Sequence, residues 1–199
     1  MHGVRAGGLS LLMLALVGGL AGCGSLGGGG EALATYDLTA PAGVKSGKSD
    51  ARQILIPEPA ALKALDTTRI VVRPSPTEIA YFPGAQWSDR LPKLIQSRLV
   101  ETFENSGKVR AGTPGQGLSI DFQVLTDLRA FNYDAANKLA HVEIAVKLMN
   151  DKDGKVVASQ VFTGDGAVAG DSAAKVTGAL DEVLQQQMQA IVSWTVKRI

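Results

Sequence analysis

The sequence holds one cysteine, Cys23. No disulfide can close within the chain, so its stability has to come from packing even in an oxidising compartment. Charge is nearly balanced, at +1 overall. That leaves no basic run for nucleic acid and no polybasic patch for anionic lipid. Histidine is scarce too: beyond His2 there is only His141. A Gly-x-Ser-x-Gly elbow and a His-Glu-x-x-His helix are both missing, which removes the commonest hydrolase and metalloprotease signatures. No internal repeat of useful length is present, so a solenoid is excluded. No apolar run reaches the ~20 residues a membrane-spanning helix requires.

The longest uncharged apolar run is Leu9 to Leu20, just behind Arg5. Its length suits the ~7–15-residue core of a secretory leader. It closes on Leu20-Ala21-Gly22-Cys23, the pattern of a bacterial lipobox. Small residues at Ala21 and Gly22 let an extended backbone enter a peptidase. The Cys23 thiol can attack an activated lipid and become a thioether. A buried or redox role for Cys23 is disfavoured, because Gly24 to Gly30 offer it no core. The expected organisation is a leader over 1–22 cut between Gly22 and Cys23, a lipidated glycine-rich tether over 23–34, and a periplasm-facing domain over 35–199. Two or more acyl chains anchor stably where one does not. A flexible dozen residues hold the domain on the order of 20 Å from the lipid. Cleavage removes Arg5 and no acid, so the mature chain carries no formal net charge. Gly24 stands where an aspartate would favour the inner membrane in enteric bacteria, which points to the outer membrane instead.

Beyond the tether, short apolar runs predict strands at Thr35–Leu38, Arg52–Pro57, Arg69–Arg73 and Glu78–Phe82. Pro57 and Pro59 end the second of these, since proline cannot donate to a ladder. Ala60 to Leu65 reads as a helical turn. Leu91, Leu94, Ile95, Leu99 and Phe103 share one helical face. Ser88 is the expected cap, and Pro92 is tolerable because it sits in the first turn. Alternation then predicts a long strand over Leu118–Leu128, another over Val142–Leu148, a turn at Asn150–Gly154 and a return from Val156 to Thr163. Their order predicts an antiparallel meander. A last helix begins at Asp171 or Ser172, with the stripe Val176, Leu180, Leu184, Met188, Ile191 and Thr195. The expected fold class is α+β: a two-layer sandwich, a mainly antiparallel sheet with two amphipathic helices on one face.

Chemistry-bearing clusters are few. His141 and Glu143 lie two apart on a polar strand face, but zinc needs three or four ligands. Asp151-Lys152-Asp153-Gly154 opens like a calcium loop, yet its twelfth position is Phe162 where glutamate is required. Gly112 to Gly117 has phosphate-loop glycine spacing, with Leu118 where lysine belongs. No metal or cofactor is expected beyond the lipid on Cys23. Aromatic residues mark the candidate partner surface, because they are enriched at interfaces: Tyr81, Phe82 and Trp87 at a bend, and Phe131 and Tyr133 on the strand face opposite the buried one. For Trp87, packing on the helix start is the competing assignment.

Several of these stretches together resemble the ABC-type transport auxiliary lipoproteins of the PqiC-like kind. They are Tyr36-Asp37-Leu38, Leu65 to Arg73, Glu78-Ile79-Ala80-Tyr81 and Trp87-Ser88-Asp89-Arg90-Leu91, all behind a lipobox. The resemblance implies a non-enzymatic docking subunit. It would accompany an ABC transporter and an MCE-type substrate-binding protein that move phospholipids or other hydrophobic molecules between two membranes. A ring of identical copies is compatible with it. The competing class is an envelope regulator or assembly factor, such as an activator of cell-wall synthesis. A carrier holding lipid in its own core is a third, and it predicts a sizeable apolar cavity.

Overall fold

The computed structural model describes residues 32–42 and 52–199. The leader, Gly22, Cys23 and most of the tether lie outside the described residues. From Leu33 to Ile199 the chain forms one unit. Its strands are β1 (Ala34–Tyr36), β2 (Gln53–Leu55), β3 (Ala60–Ala61), β4 (Arg69–Arg73), β5 (Ala80–Trp87), β6 (Arg110–Gly112), β7 (Phe122–Asp134), β8 (Leu139–Asn150) and β9 (Val156–Ala167). Its helices are α1 (Leu91–Ser106) and α2 (Ala173–Val196). The fold is the α+β sandwich expected, built on one mixed sheet that is mostly antiparallel.

Strand β7 is the spine. Along one edge it pairs antiparallel with β8, which pairs antiparallel with β9, so the meander forms as its sequence order predicts. Along the other edge three short strands follow one another, all parallel to it: β2 at Phe122, β3 at Asp127 and β4 at Asn132. Pro57 and Pro59 divide β2 from β3. Ala60 and Ala61 are therefore a strand, and the turn predicted over Ala60–Leu65 is confined to its second half, closed by Leu65 N–H donating to the Leu62 carbonyl at 2.8 Å.

Both helices bury the stripes that their periodicity marks. Leu91, Leu94, Ile95, Leu99 and Phe103 of α1 are buried, as are Val176, Leu180, Leu184, Met188, Ile191 and Thr195 of α2. They meet where Thr102 Oγ1 lies 3.7 Å from Met188 Sδ. Ser172 caps α2, accepting from Lys175 N–H. Ser88 does not cap α1; the cap position is Arg90, with no side-chain cap bond. Arg90 is held instead by Glu58, at 2.5 Å, and by Asp66. Helix α2 crosses β9 closely over Gly164 and Gly166, where a side chain would meet Val183.

One irregularity in β7 decides which residues face the helices. Leu128 pairs with Ile144, but Ala130 pairs with Glu143, so Arg129 is an extra residue. A β-bulge of this kind shifts the period-two alternation by one. Val124, Thr126 and Leu128 face the helices before the bulge; Phe131 and Tyr133 do so after it. The strand also starts later than predicted, at Phe122, leaving Leu118 41% exposed.

Candidate functional site

The aromatic surface expected from the sequence does not assemble. Trp87 and Phe131 are each 1% exposed and Tyr133 is 5% exposed. Trp87 and Phe131 meet edge to face at 5.8 Å in the core. The Tyr133 hydroxyl donates to Asp171 Oδ1 at 3.0 Å, tying β7 to the start of α2. Burial, then this bond, raises the Tyr133 pKa above its ordinary value. Two causes account for the three burials. The bulge rotates Phe131 and Tyr133 inward, and Trp87, the last residue of β5, packs its ring against Phe131. Of the five residues, Tyr81 and Phe82 alone stay half-buried. Tyr81 has the Arg69 guanidinium 3.4 Å above its ring.

The sheet face turned away from the helices carries the more unusual arrangement. Register places Tyr81 beside Val71, Val71 beside Asn132, Asn132 beside His141, and His141 beside Asp165. These five residues from five strands form one row. A recess of about 320 Å³ opens at the polar end of the row, lined by Arg73, Ala130, Asn132, Asp134, His141 and Asp165. His141 Nδ1 lies 2.6 Å from Asp165 Oδ1. Glu143, which the sequence sets beside His141, turns to Arg129 Nη1 at 3.5 Å instead. Asp134 accepts from the Asn137 side chain at 2.8 Å, and that bond holds its carboxyl below the usual range. Arg73 donates one Nη1 bond to the Pro76 carbonyl at 3.0 Å.

Asn132 is the residue that sequence reasoning passes over. It is 3% exposed, and its carboxamide has no hydrogen-bond partner among the described residues. Nothing local marks it, since unbroken alternation sets Phe131 and Tyr133 outward and Asn132 on the buried face, where no site is expected. Arg73, Asp134 and Asp165 were equally invisible, because only long-range pairing brings them to one row.

Other features are simpler. Among the described residues no three His, Cys, Asp or Glu side chains converge to hold a metal ion. The Asp151–Gly154 segment is a hairpin turn, with Gly154 N–H donating to the Asn150 carbonyl at 2.9 Å. In the Gly112–Gly117 loop, Gln116 Oε1 accepts from Thr113 N–H at 2.9 Å. A shallow apolar hollow of about 280 Å³ lies between the last turns of α1 and α2, near Pro41, Val192 and Val196. No helix among the described residues is long and apolar enough to cross a membrane.

Residues 36–192 match the family model described as the ABC-type transport auxiliary lipoprotein component. The chain belongs to this family. An uncharacterized protein, bll6063, of Bradyrhizobium diazoefficiens is 33% identical over 189 residues, covering 91% of this chain and 50% of that protein. The chain thus spans about half the length of this relative. Protein XCC0632 of Xanthomonas campestris superposes with a TM-score of 0.77 at 28% identity, over 82% of this chain and 95% of that one. A second solved structure, of an uncharacterized protein, gives 0.64 at 14% identity over 84% of this chain and shares the fold alone. That family model describes an auxiliary component of ABC-type transport. It also agrees with the strand and helix marks from Tyr36 to Leu91 that carry the resemblance.

Proposed function

We propose that this protein is the lipid-anchored docking subunit of an ABC transport system with an MCE-type substrate-binding protein. It would serve the movement of phospholipids or other hydrophobic molecules across a bacterial envelope. The observation that carries this reading is the family match over residues 36–192 on a domain that follows Cys23. Anchoring through Cys23 fixes the domain within a tether's reach of one membrane, with the outer membrane proposed. Filled packing supports docking over carriage. The core runs without a break from Ile54 through Phe103 and Leu128 to Met188, all at 0% exposure. The apolar hollow near Val192 is open to solvent and falls just under the ~300–1,000 Å³ of ordinary ligand pockets.

The test is capture of the native, lipidated protein from solubilised membranes. The expected result is co-purification of an MCE-type protein and the transporter's membrane or ATPase subunits. Recovery of neither, with the lipoprotein itself recovered intact, overturns the proposal. Recovery of cell-wall synthesis enzymes in their place selects the regulator class.

A further inference from the structure

We infer that the recess around Asn132 is a binding site for a small zwitterion bearing a primary ammonium group. The inference does not rest on the docking reading. It starts from Asn132, which is 3% exposed and whose carboxamide opens onto the recess without a partner. Its amide atoms are not sealed in the core: they reach the recess, where no group among the described residues bonds them. A ligand in the recess supplies what is missing.

The walls define its charge. The recess has the carboxylates of Asp134 and Asp165, the guanidinium of Arg73, and the His141 imidazole paired to Asp165. Asp165 is engaged by His141, and Asp134 is kept ionised by Asn137. Arg73 has no carboxylate partner among the described residues, and only its bond to Pro76 is drawn on. Its planar fork is suited to a carboxylate or phosphate. A ligand with only a negative charge would meet Asp134 and Asp165. One with only a positive charge would meet Arg73. A zwitterion satisfies both, with Asn132 between them accepting from the ammonium and donating to the anion.

The ammonium must be primary. A quaternary ammonium has no N–H to give and is recognised by aromatic faces. The aromatic residue on this row, Tyr81, already has Arg69 over its ring. The acceptors present, two carboxylates and an amide oxygen, call for a group with several N–H donors.

The experiment uses the mature lipoprotein in detergent and isothermal titration with four probes: glycylglycine, O-phosphoethanolamine, ethanolamine and inorganic phosphate. At least one of the first two should bind with a Kd ten-fold or more below that of both single-charge probes. Which of the two binds tighter tells whether the anionic end is a carboxylate or a phosphate. Arg73→Gln and Asp165→Asn should each weaken that binding ten-fold or more, with unchanged circular dichroism. Asn132→Leu, which keeps the volume and removes the amide, should do the same. No binding of either zwitterion, affinity matched by ethanolamine or phosphate alone, or binding indifferent to Arg73→Gln and Asp165→Asn would each overturn the inference. Capture of transport partners by the Arg73→Gln protein keeps the two proposals separable.

Discussion

Gly166→Ala and Gly178→Ala add the same methyl group at two places that α2 makes very different. A Cβ at Gly166 would lie 2.6 Å from Val183 Cγ2. Val183 is 3% exposed and β-branched, and such a side chain has essentially one rotamer in a helix. It cannot swing away, so α2 must lift off β9. Overpacking of this kind costs about 1–3 kcal/mol. At Gly178 a Cβ would meet nothing within 4 Å, on the exposed side of the same helix. There the methyl group lowers the conformational freedom of the unfolded chain and stabilises by roughly 0.5–1 kcal/mol. The two variants should therefore shift stability in opposite directions, by about 2–4 °C of Tm per kcal/mol for a unit of this size. Urea unfolding followed by circular dichroism, with the slope unchanged, is the assay. The decisive control is Val183→Ala. In that background the methyl at position 166 has room, and its cost should fall by about 1 kcal/mol or more. A Gly166→Ala protein as stable as wild type, or strict additivity with Val183→Ala, would refute the close crossing of α2 over β9.

Three further outcomes follow from the same structure. Phe131→Ala should cost about 3–5 kcal/mol, the range for a buried aromatic, while Tyr81→Ala costs far less; equal losses in urea melts would show that the bulge at Arg129 is misplaced. Tyr133 should ionise only above pH 10, because burial and the bond to Asp171 favour its neutral form. Its folded pKa is raised, so its contribution to stability is intact below the unfolded value near pH 10 and is lost as pH rises through the folded one; absorbance titration at alkaline pH should lose its latest component in Tyr133→Phe. Mass spectrometry of the native amino terminus should find it at Cys23 with a lipid mass; an unmodified thiol or a retained leader contradicts the anchor.

Much of the fold was readable along the chain because its causes are local. Helical spacing from Leu91 to Phe103 and from Val176 to Thr195 named both buried stripes. Alternation over Val142–Leu148 named the core face of β8, and the strand order named the meander. The Leu20–Cys23 pattern is likewise a matter of neighbours in sequence. The site was not readable, since it depends on pairing. Arg129 becomes an extra residue only against β8, so no alternation count could foresee that Phe131 and Tyr133 turn inward. Asn132 gains its position opposite them through the same shift. Arg73 and Asp165 stand nearly a hundred residues apart in sequence, and four adjacent strands have to align before they share a recess. Local periodicity sets which face of an element is apolar; register, decided by packing the whole sheet under α2, sets which polar residues meet.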